Sequence, residues 1–130
     1  MSDILKTVSN PLGTLIFKET TANATLIANV FSKTAPKLIS VKLDNSANST
    51  ETVYLKLYEN TSATAANASV GTTVPTFILR CPSSSIVEMY IPQGLTFTSS
   101  NYAHMAVTTT AGIAGTTAPT GTVAVTLIGS

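Results

Sequence analysis

The chain has 130 residues, seven basic and six acidic side chains, and a formal net charge of +1. Charged residues make up 10% of it, well below the roughly 25% of an average soluble domain, while threonine (23) and serine (14) are abundant. These figures exclude the basic footprint of a nucleic-acid binder and the apolar-poor, highly charged composition of disorder, and the length fits one domain.

From the N-terminus, residues 1–23 stand apart. Ser9-Asn10-Pro11-Leu12-Gly13 interrupts any strand, and Thr20-Thr21-Ala22-Asn23 does so again. This segment is expected to be either an edge strand of the domain or an arm that docks on a neighbour. It lacks the basic start and 7–15-residue apolar run of a secretory leader. The longest nearly apolar runs, 26–31 and 123–128, are far below the roughly 20 residues of a spanning helix. The expectation is a protein made in the cytoplasm with no membrane partner.

Residues 24–130 are expected to form one domain whose dominant period is two. Ile39, Val41 and Leu43 alternate with Ser40 and Lys42. Val53, Leu55 and Leu57 alternate with Tyr54, Lys56 and Tyr58. Val123, Val125 and Leu127 alternate with Ala124 and Thr126. Such alternation marks strands with one buried face. Further strands are expected at 14–18, 24–31, 76–80, 86–91, 95–98 and 102–109, all rich in residues that suit a pleated surface. Asp44–Thr50 carries Asx and Ser turn chemistry, and Pro82 and Pro92-Gln93-Gly94 are expected to end strands. The alanines of 63–68 allow no more than a short turn. The spacing predicts an all-β chain, an antiparallel sandwich of about eight strands, with jelly-roll and immunoglobulin-like orders both open. The stretch 60–74 is expected to cross between sheets, and 111–121 to form a long Gly/Thr/Pro loop. One word returns after 44 residues, Gly71-Thr72-Thr73-Val74-Pro75-Thr76 and Gly115-Thr116-Thr117-Ala118-Pro119-Thr120, as if two equivalent loops entered two strands.

Chemistry is sparse. His104, the one histidine, lies in a strand pattern with Tyr102 and Ala106 on its side, and reads as an ordinary strand residue. Cys81, the one cysteine, ends a strand and reads as a small buried hydrophobe; it has no partner for a disulfide. The six acids, Asp3, Glu19, Asp44, Glu51, Glu59 and Glu88, form no calcium loop. Glu51 and Glu59 flank one strand and Glu88 lies on another, so they read as solvated residues and edge gatekeepers before a glycosidase pair. No nucleophile elbow, phosphate loop or dinucleotide fingerprint occurs. Sequons at Asn23, Asn48, Asn60 and Asn67 are near what composition alone produces. Tyr54 and Tyr58 with Lys56 are expected on one solvent face, weakly suggestive of a sugar-stacking stripe or a subunit contact. Catalytic, cofactor-binding and metal residues are expected to be absent, and the chain is not read as an enzyme.

Four blocks carry a resemblance: LISVKLDNSANSTETVYLKLYEN, VGTTVPTFILRCP, IPQGLTFTS and AVTTTAGIAGTTAPTGTVAVTLI, in that order across Leu38 to Ile128. Together they are similar to small β-sandwich virion proteins of tailed bacteriophages, cyanophages in particular. The likeness departs at the N-terminal segment and at the longer stretch 61–69. It implies a structural role in the virion: a capsid decoration or cement protein, or a tail or neck component. The expected partners are the major capsid protein, or another virion protein, and further copies of the chain. The alternative reading is a tail or fibre domain that binds host glycan.

Overall fold

The computed structural model describes residues 13–130. Seven strands are named: β1 (Leu15–Glu19), β2 (Lys37–Asp44), β3 (Val53–Asn60), β4 (Phe77–Cys81), β5 (Ile86–Thr96), β6 (Tyr102–Thr108) and β7 (Ala124–Gly129). They build two antiparallel sheets, ordered β1-β7-β2-β5 and β4-β3-β6. The all-β sandwich of the sequence analysis therefore stands, with seven regular strands.

The missing eighth place belongs to residues 23–30, nearly the stretch 24–31 expected as a strand. They run beside β6 but make only one isolated bridge, Ile27 to Met105. The amide of Val107 bonds the carbonyl of Asn23, Ile27 and Met105 exchange a pair of bonds, and Val30 donates to Ala103. Going from Asn23 to Val30 the segment uses seven steps where β6 uses four, so it bulges away from a regular ladder. Positive φ at Asn29 (50°), Ser32 (54°) and Ala35 (47°) then turns the chain off strand geometry. With this segment counted, the sheets read β1-β7-β2-β5 and 23–30-β6-β3-β4. The last strand pairs with the first and second, which is the jelly-roll order and not the immunoglobulin one.

Three local expectations are corrected. Stretch 60–74 does not cross between sheets: β4 returns to pair with β3 in the same sheet. Pro92-Gln93-Gly94 does not end a strand. β5 continues past it, because the residues between Tyr90 (opposite Ser40) and Leu95 (opposite Leu38) bulge out of the ladder. Pro92 has no N–H to offer there, and Gly94 (φ 74°) sits where a Cβ would collide with the Lys37 side chain. A second irregularity between Leu38 and Ser40 turns Leu38, rather than Ile39, inward beside Val41 and Leu43.

The core lies between the sheets. Val41 and Leu43 of β2 and Val125 and Leu127 of β7 face Val53, Leu55 and Leu57 of β3 and Met105 and Val107 of β6, with Phe31 and Phe97 sealing it. Each buried Leu or Val contributes about 1.5–3 kcal/mol relative to exposure. Of the first 23 residues, 15–19 are edge strand β1, Ala22 is part of the core, and 1–12 lie outside the described residues, so the expected arm falls on them untested.

Candidate functional site

The two outer faces of the sandwich are treated differently by the chain. The outer face of β4-β3-β6 carries Tyr54, Lys56 and Tyr58 of β3 opposite Thr108, Ala106 and His104 of β6. The expected solvent stripe does not exist. Lys56 and Tyr58 are fully buried, as are His104 and Thr108; Tyr54 alone of the three β3 residues is half-buried. Loops close over this face. The Lys56 ammonium donates to the carbonyls of Gly112 (2.6 Å) and Gly115 (3.0 Å), which anchors the 109–121 loop across the sheet. Among the described residues no carboxylate compensates it, and burial pulls the Lys56 pKa down. Burial pushes the Tyr58 hydroxyl up, and that hydroxyl finds no protein partner among the described residues.

His104 is a strand residue as expected, but a structural one. Its Nδ1 accepts a 3.0 Å bond from the Asn29 amide. On the neutral ring the proton therefore sits on Nε2, which donates to Asn60 Oδ1 at 3.3 Å. Asn60 Oδ1 also accepts from the Ser62 amide at 2.8 Å. The imidazole thus joins segment 23–30 to the start of the 60–74 loop. Burial lowers the His104 pKa, with the Ser62 backbone pulling the other way.

Asp3 lies outside the described residues; the described acids do not converge, and two of them are not the solvated gatekeepers expected. Glu51 reaches across to the second copy of the repeated word, accepting from the amides of Thr120 (2.8 Å) and Gly121 (3.3 Å) and from Asn48 Nδ2 (3.0 Å). The Thr120 bond is the main reason that its pKa is lowered. Glu59, eight residues along the same strand direction, accepts from the Thr98 amide, Asn101 Nδ2 and Thr76 Oγ1, each at 2.9 Å. Burial works to raise its pKa, and these donors outweigh it and leave it lowered. Glu88 lies on the other sheet, 4.0 Å from Lys42, both side chains largely exposed. Asp44 turns back on Ser46, whose hydroxyl and amide lower its pKa. Eight residues of strand separate Glu51 from Glu59 by about 26 Å, too far for any glycosidase pair.

Cys81 is fully buried at the end of β4, its thiol among the carbonyls of Leu43, Pro82 and Ser85, and burial raises its pKa. That is the inert small hydrophobe expected. Asn45, which sequence reasoning passed over as turn chemistry, is a hub. Fully buried, its Nδ2 donates to the carbonyls of Glu51 (2.8 Å), Pro82 (3.0 Å) and Cys81 (3.4 Å), tying the β2–β3 turn to the end of β4. Asn48 is also buried, so that sequon could not carry a glycan in the folded chain. The two repeated words adjoin, since a Cβ on Gly71 would meet Thr116, but Gly71 has φ 96° and Gly115 does not share it. They are neighbours, not equivalent loops. An open cavity of about 210 Å³, lined by residues 21–23 and 119–123, holds no ionisable side chain.

Among the described residues, nothing covers the outer face of β1-β7-β2-β5. Register sets three rows across it: Ile16, Ile128, Ser40 and Tyr90; then Lys18, Thr126, Lys42 and Glu88; then Ala124, Asp44 and Ile86. Ile16 is 65% exposed, Tyr90 55% and Ile86 48%. These large apolar side chains stand in water at the two edges of the face, Ile16 on β1 and Tyr90 and Ile86 on β5. No protein-family model, curated protein or solved structure matches the chain.

Proposed function

We propose that this chain is a structural virion protein of a tailed bacteriophage, a capsid decoration or cement protein that binds the major capsid protein as a homo-oligomer and performs no catalysis. One observation carries the surface-contact half of this reading. Lys56, His104, Glu51 and Glu59 are engaged in holding loops, while a complete sheet face with Ile16, Tyr90 and Ile86 stands open. Such a molecule works by what it touches. The virion half comes from the resemblance carried by the four sequence blocks. A jelly roll serves capsid proteins and lectins alike, so the fold alone does not choose between them. The glycan-binding alternative rests on the Tyr54/Tyr58 stripe and on the long polar loops 60–74 and 111–121; burial of Tyr58 removes the stripe and leaves the loops.

The test is the protein content of purified phage particles. The chain is expected among the virion proteins at a copy number commensurate with the capsid lattice. Its absence from particles that contain every other structural protein would overturn the reading. The arm is tested by deleting residues 1–12, not 1–23, because the longer deletion also removes β1 and the core residue Ala22. Capsid binding is expected to weaken at least about tenfold on loss of a terminal contact segment; unchanged binding would exclude the arm.

A further inference from the structure

The bare face of the four-stranded sheet has a pattern beyond its exposure. Along its middle row the charges are Lys18 on edge strand β1, Lys42 on β2 and Glu88 on the opposite edge strand β5. Along the adjoining row the large exposed side chains are again at the two edges, Ile16 on β1 and Tyr90 on β5. The face is therefore asymmetric from edge to edge in charge and similar from edge to edge in apolar bulk.

We propose that this face is the contact between two copies of the chain, packed sheet to sheet about a two-fold axis that runs parallel to the strands. Isologous contacts require a self-complementary patch, and this axis supplies one. It lays β1 over the β5 of the other copy and keeps each row opposite itself. Lys18 then faces Glu88 of the partner subunit, twice by symmetry, and Ile16 faces the partner's Tyr90. Ile128 faces the partner's Ser40, and Thr126 covers the partner's Lys42. The other two-fold in the interface plane, running across the strands, lays each strand over itself. Centred on the charged middle row, it would set Lys18 against the partner's Lys18, Lys42 against the partner's Lys42 and Glu88 against the partner's Glu88. The charges thus select the first axis, as electrostatic complementarity does for register and orientation. Near-parallel strands across the contact also match the aligned packing of twisted sheets. Four strands at about 4.8 Å spacing make a face about 19 Å wide, narrower than a standard interface, so the dimer is weak and forms at micromolar or higher concentration.

This deepens the oligomer in the proposed function and rests on that reading only in needing a copy-to-copy contact. It is measured on the purified full chain without capsids, so the two fail separately. Sedimentation velocity from about 5 μM to 1 mM is expected to show a monomer–dimer equilibrium. Glu88→Lys, an exposed change that leaves the melting temperature within a few degrees, is expected to weaken dimerisation at least about tenfold, and Lys18→Glu likewise. The double variant Lys18→Glu/Glu88→Lys is expected to recover most of the loss, because the facing pair is restored with its signs exchanged. A monomer at all concentrations overturns the inference, as does a dimer indifferent to both single changes or a double variant no better than either.

Discussion

Lowering the pH from 7.5 to 5.5 isolates one proton in this molecule. His104 is the only histidine, and it is held neutral: its Nδ1 accepts from the Asn29 amide and burial disfavours the cation. Its folded pKa is therefore depressed below the ordinary 6.5. The unfolded chain takes up the proton first, so it binds more protons in this window and stability falls as the pH falls. The loss begins near pH 6.5 and continues downward to the folded pKa. Glu51, Glu59 and Asp44 also have depressed folded values, but they contribute stability above the ordinary carboxylate range and lose it only on further acidification. Full exclusion of the charged form would cost about 1.4 kcal/mol by pH 5.5. Partial protonation of the folded form within this window brings the expected loss to about 0.5–1 kcal/mol. For a domain of this size that is a fall of about 2–4 °C in melting temperature. The assay is thermal unfolding by circular dichroism at half-unit pH steps, for the native chain and for His104→Asn, which keeps an acceptor near the Nδ1 position and does not titrate. The variant is less stable throughout and flat between pH 7.5 and 5.5. A native chain equally flat in that window, or a variant with the same slope, would refute the account of His104.

Two further perturbations address the other buried polar groups. Asn45→Ala leaves the carbonyls of Glu51, Pro82 and Cys81 without their shared donor and is expected to cost about 2–4 kcal/mol in urea unfolding; a cost below 1 kcal/mol would contradict its role as a hub. Lys56→Met removes a buried charge that has no counter-ion among the described residues. It is expected to change global stability by less than about 2 kcal/mol while amide exchange in residues 109–117 speeds up at least about tenfold, since Gly112 and Gly115 lose their anchor. Unchanged exchange in that loop would show that Lys56 does not hold it.

The strand VYLKLY illustrates what sequence alone could and could not disclose. Its alternation assigns Val53, Leu55 and Leu57 to the core, and they are there. It also assigns Tyr58 and Lys56 to solvent, because period two distinguishes the two faces of a strand without saying what lies over either one. The cover arrives from residues 109–121, more than fifty positions later. The long Gly/Thr/Pro loop was visible, and a loop of that length must pack on something, but its target was not. Pro92-Gln93-Gly94 failed for a different reason: the same residues serve a strand end and a bulge, and only pairing with β2 decides between them. Glu51 and Glu59 looked like solvated acids because their donors, Thr120, Gly121, Thr98 and Asn101, are distant in sequence. Cys81 was legible as a small buried residue from its place at a strand end, and Asp44–Thr50 as a turn from its local Asx and Ser bonds, while the bonds of Asn45 to Cys81 and Pro82, 36 and 37 residues away, were not.

The central claim, that the chain acts by binding a capsid surface, is tested most directly by co-sedimentation of the purified protein with expanded, protein-free-surface capsids of the corresponding phage. Saturable binding at a fixed number of copies per capsid subunit is the predicted result. Non-saturating or absent pelleting, with the chain folded and at concentrations well above its dimerisation range, would contradict it.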